Sequence, residues 1–218
     1  MLKQIQAYNT TGLYIGYCLV LMAITYLIQS FLITNSVLYS SYAEQLSYER
    51  IEEMIDGQNK WAWVSYAVLP LIYAIKFFLV ACCLLVGSMF FDIRLKLNDA
   101  FKIALLADII FVIPMLIKVF WFLFVQKSYV LQDIQAFSPL SALNLFNVKS
   151  INLIWLYPLQ AISLFELGYI FLLGYLVYKF GAKSYEKGLN MVLGSYVPAL
   201  IMWVILIMFV TLNLNPNA

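Results

Sequence analysis

Residues 100–125 read AFKIALLADIIFVIPMLIKVFWFLFV, an apolar run broken by three ionisable residues, Lys102, Asp108 and Lys118. Coiled as a helix, it is about 39 Å long at ~1.5 Å per residue. The hydrocarbon core of a bilayer is about 30 Å thick. Lipid offers no partner for backbone N–H and C=O groups, so such a run must satisfy them internally as a helix. It lacks the two-residue alternation of a barrel strand. Four more stretches read the same way, at residues 12–33, 61–91, 159–180 and 189–212. The sequence predicts an all-α fold: a polytopic transmembrane helical bundle with five spanning helices, forming a single integral membrane domain over residues 1–218.

Composition supports the same class. Of 218 residues, 64% are hydrophobic and 11% charged. Soluble domains carry roughly 45–50% and roughly 25%, so this chain has too little charge for an aqueous surface. The net charge of +2 is not clustered and points away from nucleic acid. There is no histidine. Histidine-based acid–base catalysis, His-held zinc and His-ligated haem are therefore excluded. Cys18, Cys82 and Cys83 lie in apolar runs and read as small packing residues. The first run is too long for a signal-peptide core, lacks a small-residue cleavage site and reads as an uncleaved span.

The connections differ in character. Residues 34–60 are polar and acidic, with Glu44, Glu49, Glu52, Glu53 and Asp56 against Arg50 and Lys60. Ile51, Met54 and Ile55 recur at helical spacing there. They predict a short surface helix over 47–56, stopped by Gly57. Residues 126–158 are long, apolar and contain Pro139 and Pro158. This segment is expected to lie at the interface or fold back over the helices. The short loops at 91–99 and 181–188 are basic.

Basic residues in short loops favour the cytoplasmic side. With the N-terminus inside, that side holds Lys3, Arg94, Lys96, Lys102, Lys179, Lys183 and Lys187, while Arg50, Lys60, Lys127 and Lys149 are spread over longer outer loops. The expected localisation is the cell (inner) membrane, N-terminus cytoplasmic and C-terminus extracytoplasmic. Trp61, Trp63, Trp121, Trp155 and Tyr157 then form a belt at the outer interface.

Four ionisable residues within the spans require an account: Lys76, Asp108, Lys118 and Glu166. Each costs about 2.5–3.5 kcal/mol on the insertion scale. Lys118 and Glu166 each lie about 10 Å from the outer end of their runs, so an interhelical pair between them is expected. Lys76 lies near the middle of the second run and reaches toward Asp108 if that long helix tilts. Such charges serve either as structural ties or as a polar pathway for a proton, ion or small solute. Pro70, Pro114 and Pro198 within the spans read first as packing kinks. Gly87, Ser88, Gly168 and Gly174 permit close helix approach.

Three stretches carry a family resemblance. FDIRLKLNDAFKIALLADIIFVIP (91–114) is a short basic entry into a helix with a central proline. SPLSALNLFN (138–147) is rich in leucine and asparagine. AISLFELGYIFLLGYLVYKFGAKSYEKGL (161–189) contains an acidic residue, Glu166, and a basic turn, continuing through GAKSYEKGLNMVLGSY into the last helix. Together, residues 90–212 resemble the membrane domain of the Yip-type family, the Ypt-interacting proteins and their bacterial relatives. The first span and the acidic segment depart from that family's polar N-terminal domain. The resemblance implies five spans, N-terminus in and C-terminus out, and a non-enzymatic membrane-organising or adaptor role. It assigns no catalytic or binding residue.

No metalloprotease, nucleophile-elbow, P-loop or intramembrane-protease pattern is present. The expectation is a non-enzymatic protein without catalytic, cofactor-binding or metal residues. It would act as a scaffold or as the membrane subunit of a larger complex, in contact with membrane lipid and with other membrane subunits or itself. The alternative is a small permease or transporter component.

Overall fold

The computed structural model describes residues 9–43, 45–147 and 151–214; Lys3, Glu44 and Lys149 lie outside the described residues. Among the described residues the chain is helical, with no strand and one isolated β-bridge. Helix α1 is Thr10–Leu27, continued by a π turn, Ile28–Leu32. The short α2 is Asn35–Tyr42, and α3 is Tyr48–Phe90. Next come α4 (Leu97–Asp108), a 3-10 turn (Ile109–Phe111), α5 (Val112–Phe120) and a π turn (Trp121–Val125). A fold-back segment holds α6, Leu131–Ala136, and α7, Leu153–Ala161. The chain ends with α8, Leu164–Phe180, and α9, Tyr185–Leu214.

Among the described residues, four stretches are long and apolar enough to cross a membrane: Thr10–Leu32, Tyr48–Phe90, Leu97–Val125 and Tyr185–Leu214. The expected span at 159–180 is different. It breaks at Ile162 and Ser163, leaving α8 with 17 residues, or about 26 Å. The cause is local. Ser141 and Ser163 form an antiparallel bridge. Through it the Ala142 N–H donates to Ile162 O at 2.8 Å and the Leu164 N–H to Leu140 O at 3.0 Å. The Ser163 side chain then caps the new helix by accepting from the Glu166 N–H at 3.1 Å.

The predicted surface helix at 47–56 does not stop at Gly57. It is the first part of α3, a single helix of 43 residues, about 65 Å long. A glycine inside a helix costs about 1 kcal/mol. Ile51 and Ile55 bury against Leu38 of α2, and each such burial returns roughly 1.5–3 kcal/mol. Packing therefore overrides the stop signal.

The long helices and α8 run alternately between two ends. At one end, the Thr10 hydroxyl donates to Asn98 Oδ1 at 2.7 Å, and a Cβ added to Gly181 would stand 2.9 Å from Arg94 O. This end carries the basic loops. At the other, the Tyr129 hydroxyl donates to Leu32 O at 3.3 Å beneath the fold-back segment. The main core joins α1, α3, α4, α8 and α9 through Leu21, Phe77, Leu84, Ile103, Leu173 and Met191. Helices α8 and α9 meet backbone to backbone. A Cβ on Gly188 would lie 2.6 Å from Gly174 O, and one on Gly174 would lie 3.0 Å from Leu189 Cα. Gly87 similarly admits Ser195 of α9, whose Oγ would lie 2.5 Å from a Cβ there.

Two alanine substitutions test this packing with opposite signs. Gly188→Ala forces backbone apart and should destabilise the protein by about 2 kcal/mol. Gly57 has nothing within 4 Å of an added Cβ, so Gly57→Ala should stabilise it by about 0.5–1 kcal/mol. Unfolding of both variants in detergent checks the pair.

Candidate functional site

The site forms where the third apolar run breaks. Proline at 114 has no N–H to donate, and its ring crowds the carbonyl four residues back. The turn before it tightens, and the Val112 N–H bonds to Ile109 O and Ile110 O rather than to Asp108 O. The Tyr17 hydroxyl lies 3.4 Å from Asp108 O and 2.6 Å from its Oδ2. Lys76 Nζ donates to the other carboxylate oxygen at 2.5 Å. Asp108 has no exposed surface, whereas the Lys76 side chain is 41% exposed. The ammonium also lies 4.9 Å from the Phe111 ring centre and 5.5 Å from that of Tyr73. Ring faces of this kind attract cations.

Rings close the bundle on the basic-loop side of this pair. Phe77 stands 5.6 Å from Tyr17, 5.8 Å from Phe101 and 6.3 Å from Tyr14. The Tyr14 hydroxyl donates to the carbonyl of Pro70, within α3. Among the described residues four prolines lie inside helices: Pro70 in α3, whose carbonyl accepts from Tyr14, Pro114 in α5, Pro158 in α7 and Pro198 in α9.

Glu166 lies toward the opposite end, in the first turn of α8. Its Oε1 accepts from the Tyr196 hydroxyl of α9 at 2.8 Å. The expected Lys118–Glu166 pair is not formed; no ion pair joins them among the described residues. Both residues lie at similar distances from the ends of their apolar runs, but α8 begins five residues later than its run. Pro114, not Lys118, shares a cleft with Glu166. Lys118 is one turn further along, about 6 Å away along the axis. Of the two pairings that the sequence raised, the geometry contains Lys76–Asp108.

Between these groups lies Tyr169. Its side chain is fully buried, and its hydroxyl has no hydrogen-bond partner among the described residues. Its ring centre lies 5.1 Å from Phe111 and 5.4 Å from Tyr196. Tyr17, Tyr169 and Tyr196 were not singled out by the sequence. Their signal was a tyrosine well inside an apolar run, because a phenolic hydroxyl buried there calls for a partner.

A cleft of about 220 Å³ opens beside Glu166. Its walls include Phe111 and Pro114, Ser138 and Pro139 of the fold-back segment, Tyr157 and Gln160 of α7, and Leu200 of α9. The break that creates α8 thus also places the carboxylate against a cavity. No protein-family model, curated protein or solved structure matches the chain.

Removing one member of a buried ion pair leaves the other uncompensated, which costs 3–5 kcal/mol for a fully buried pair. With Lys76 partly exposed, Asp108→Asn should destabilise the protein by about 3 kcal/mol. The double change Asp108→Asn, Lys76→Met should recover most of that loss. Tyr169→Phe removes an unsatisfied hydroxyl and should stabilise by about 1 kcal/mol; a loss of stability would show that the hydroxyl has a partner. Denaturant or thermal unfolding in detergent reads all three.

Proposed function

We propose that the chain is a non-enzymatic integral protein of the cell membrane, with five spans, acting as a scaffold or as the membrane subunit of a larger complex. The carrying observation is the state of Asp108. The most deeply buried charge in the bundle is engaged by Lys76 and Tyr17, so it reads as a tie between helices. What the protein then offers to neighbours is lateral surface. On α9, Ile201, Met202, Ile205 and Phe209 are exposed apolar side chains. They face lipid, another membrane subunit or a second copy.

Five spans follow if α8 crosses with the other four. Its 17 residues lie at the short limit of spanning helices, and it runs between the same two ends as they do. Basic loops at 91–96 and 181–187 place that end in the cytoplasm by the usual charge bias. The N-terminus is then inside and the C-terminus outside. The likeness to Yip-type membrane domains supports the same topology and an organising role.

A second reading, a small permease or transporter component, has its own observation. The cleft leads to Glu166 from the fold-back end, while the rings of Tyr14, Phe77 and Phe101 close the basic end. That is the layout of a site reached from one side.

Purification in mild detergent should yield a stoichiometric membrane partner or a defined self-assembly. Reconstituted protein should carry no ion or solute flux. Flux that disappears with Glu166→Gln would replace the scaffold reading with the carrier. A tag at the C-terminus should be accessible only from outside intact cells.

A further inference from the structure

We propose that the cleft beside Glu166 binds a primary ammonium group, carried either by an ethanolamine-type lipid headgroup or by a small free amine. The proposal concerns the cleft alone and depends on neither the scaffold nor the carrier reading.

Glu166 has an ordinary alternative role. Ser163-Leu-Phe-Glu166 matches the pattern of a capping box, in which the glutamate returns to the N-terminal backbone of its own helix. Half of that box is formed: Ser163 Oγ accepts from the Glu166 N–H. The reciprocal half is replaced, because the Glu166 carboxylate engages Tyr196 on α9 instead. The carboxylate is thereby held away from its helix cap and into the wall of the cleft. Its second oxygen has no partner among the described residues.

The other groups in the cleft set the sign and type of the ligand. Gln160 uses its amide nitrogen on Gln135 O at 3.2 Å, which leaves its Oε1 as an acceptor. Together with the second oxygen of Glu166, the wall offers acceptors that suit a donor-rich cation. Phe111, Tyr157 and Phe165 supply aromatic surface in the same walls. A carboxylate with aromatic neighbours is the usual environment for an organic cation. Acceptors favour N–H donors over a quaternary nitrogen, which has none. A bare metal ion would need more oxygen ligands than these side chains supply. At about 220 Å³ the cleft is smaller than the sites that hold drug-sized ligands. It suits a headgroup rather than a larger molecule.

The test uses the full chain in nanodiscs of phosphatidylethanolamine, phosphatidylcholine or phosphatidylglycerol, and in detergent with free ethanolamine. Native mass spectrometry reads retained lipid, and thermal unfolding reads the free amine. Retention of phosphatidylethanolamine at least tenfold above both other lipids supports the site and identifies a lipid source. A thermal shift with ethanolamine alone supports the site and identifies a soluble amine. Both responses should fall at least tenfold in Glu166→Gln, which still lets Tyr196 donate. Gln160→Leu, which leaves the carboxylate untouched, should weaken them and serves if the first variant fails to fold. Equal retention of all three lipids with no ethanolamine response overturns the proposal. So does ammonium binding unchanged in Glu166→Gln, or equal binding of a quaternary ammonium.

Discussion

A carboxylate with no exposed surface, placed at the middle of an apolar bundle, has to be matched on every side. Asp108 is so placed, and the arrangement of its neighbours follows from that need. The 3-10 turn Ile109–Phe111, just before Pro114, tightens the backbone after Asp108. The Tyr17 hydroxyl reaches the Asp108 carbonyl and one carboxylate oxygen, and Lys76 neutralises the other. These contacts set α1 and α3 in register with α4. A slip of one turn along any of these helices would separate groups now 2.5–2.6 Å apart. In a bundle whose other contacts are mostly apolar and tolerant of sliding, that requirement selects one arrangement.

The remaining two core helices are joined to this tie by a different device. Gly174 and Gly188 remove the side chains that would hold α8 and α9 apart, and Gly87 does the same for α3 and α9. Close backbone approach gives dispersion contact where lipid removes much of the hydrophobic drive for helix association. The packing is tight near the basic loops and looser toward the fold-back segment. There the β-bridge between Ser141 and Ser163 interrupts the chain, starts α8 late and leaves a cleft against Glu166. One end of the molecule is thus built for stability, and the other holds its accessible chemistry.

Much of this was legible in residue types. Apolar length alone located α1, α3, the α4–α5 run and α9. The glycines at 87 and 174 marked close approach. Lys76 and Asp108 could be brought within reach of each other by counting along their helices. The exceptions have specific causes. Gly57 carried a stop signal that the burial of Ile51 and Ile55 overrode. The run at 159–180 looked continuous because the bridge that breaks it comes from Ser141, distant in the chain. Lys118 and Glu166 are level by distance from the ends of their apolar runs, but one of those ends is not the end of a helix.

The division follows from the range of the forces concerned. Hydropathy and backbone satisfaction act within one segment, so residue order is enough to make the chain helical, apolar and suited to a membrane, and to mark which charges need partners. Choosing those partners requires the rotation and axial offset of each helix against the others. Those quantities arise from residues apart in the chain meeting at once: Tyr17 with Asp108, Gly174 with Gly188, Ser141 with Ser163. The packing of the helices is what gives Asp108 to Lys76 and Tyr17, gives Glu166 to Tyr196 and a cleft, and leaves the buried Tyr169 hydroxyl with no partner among the described residues.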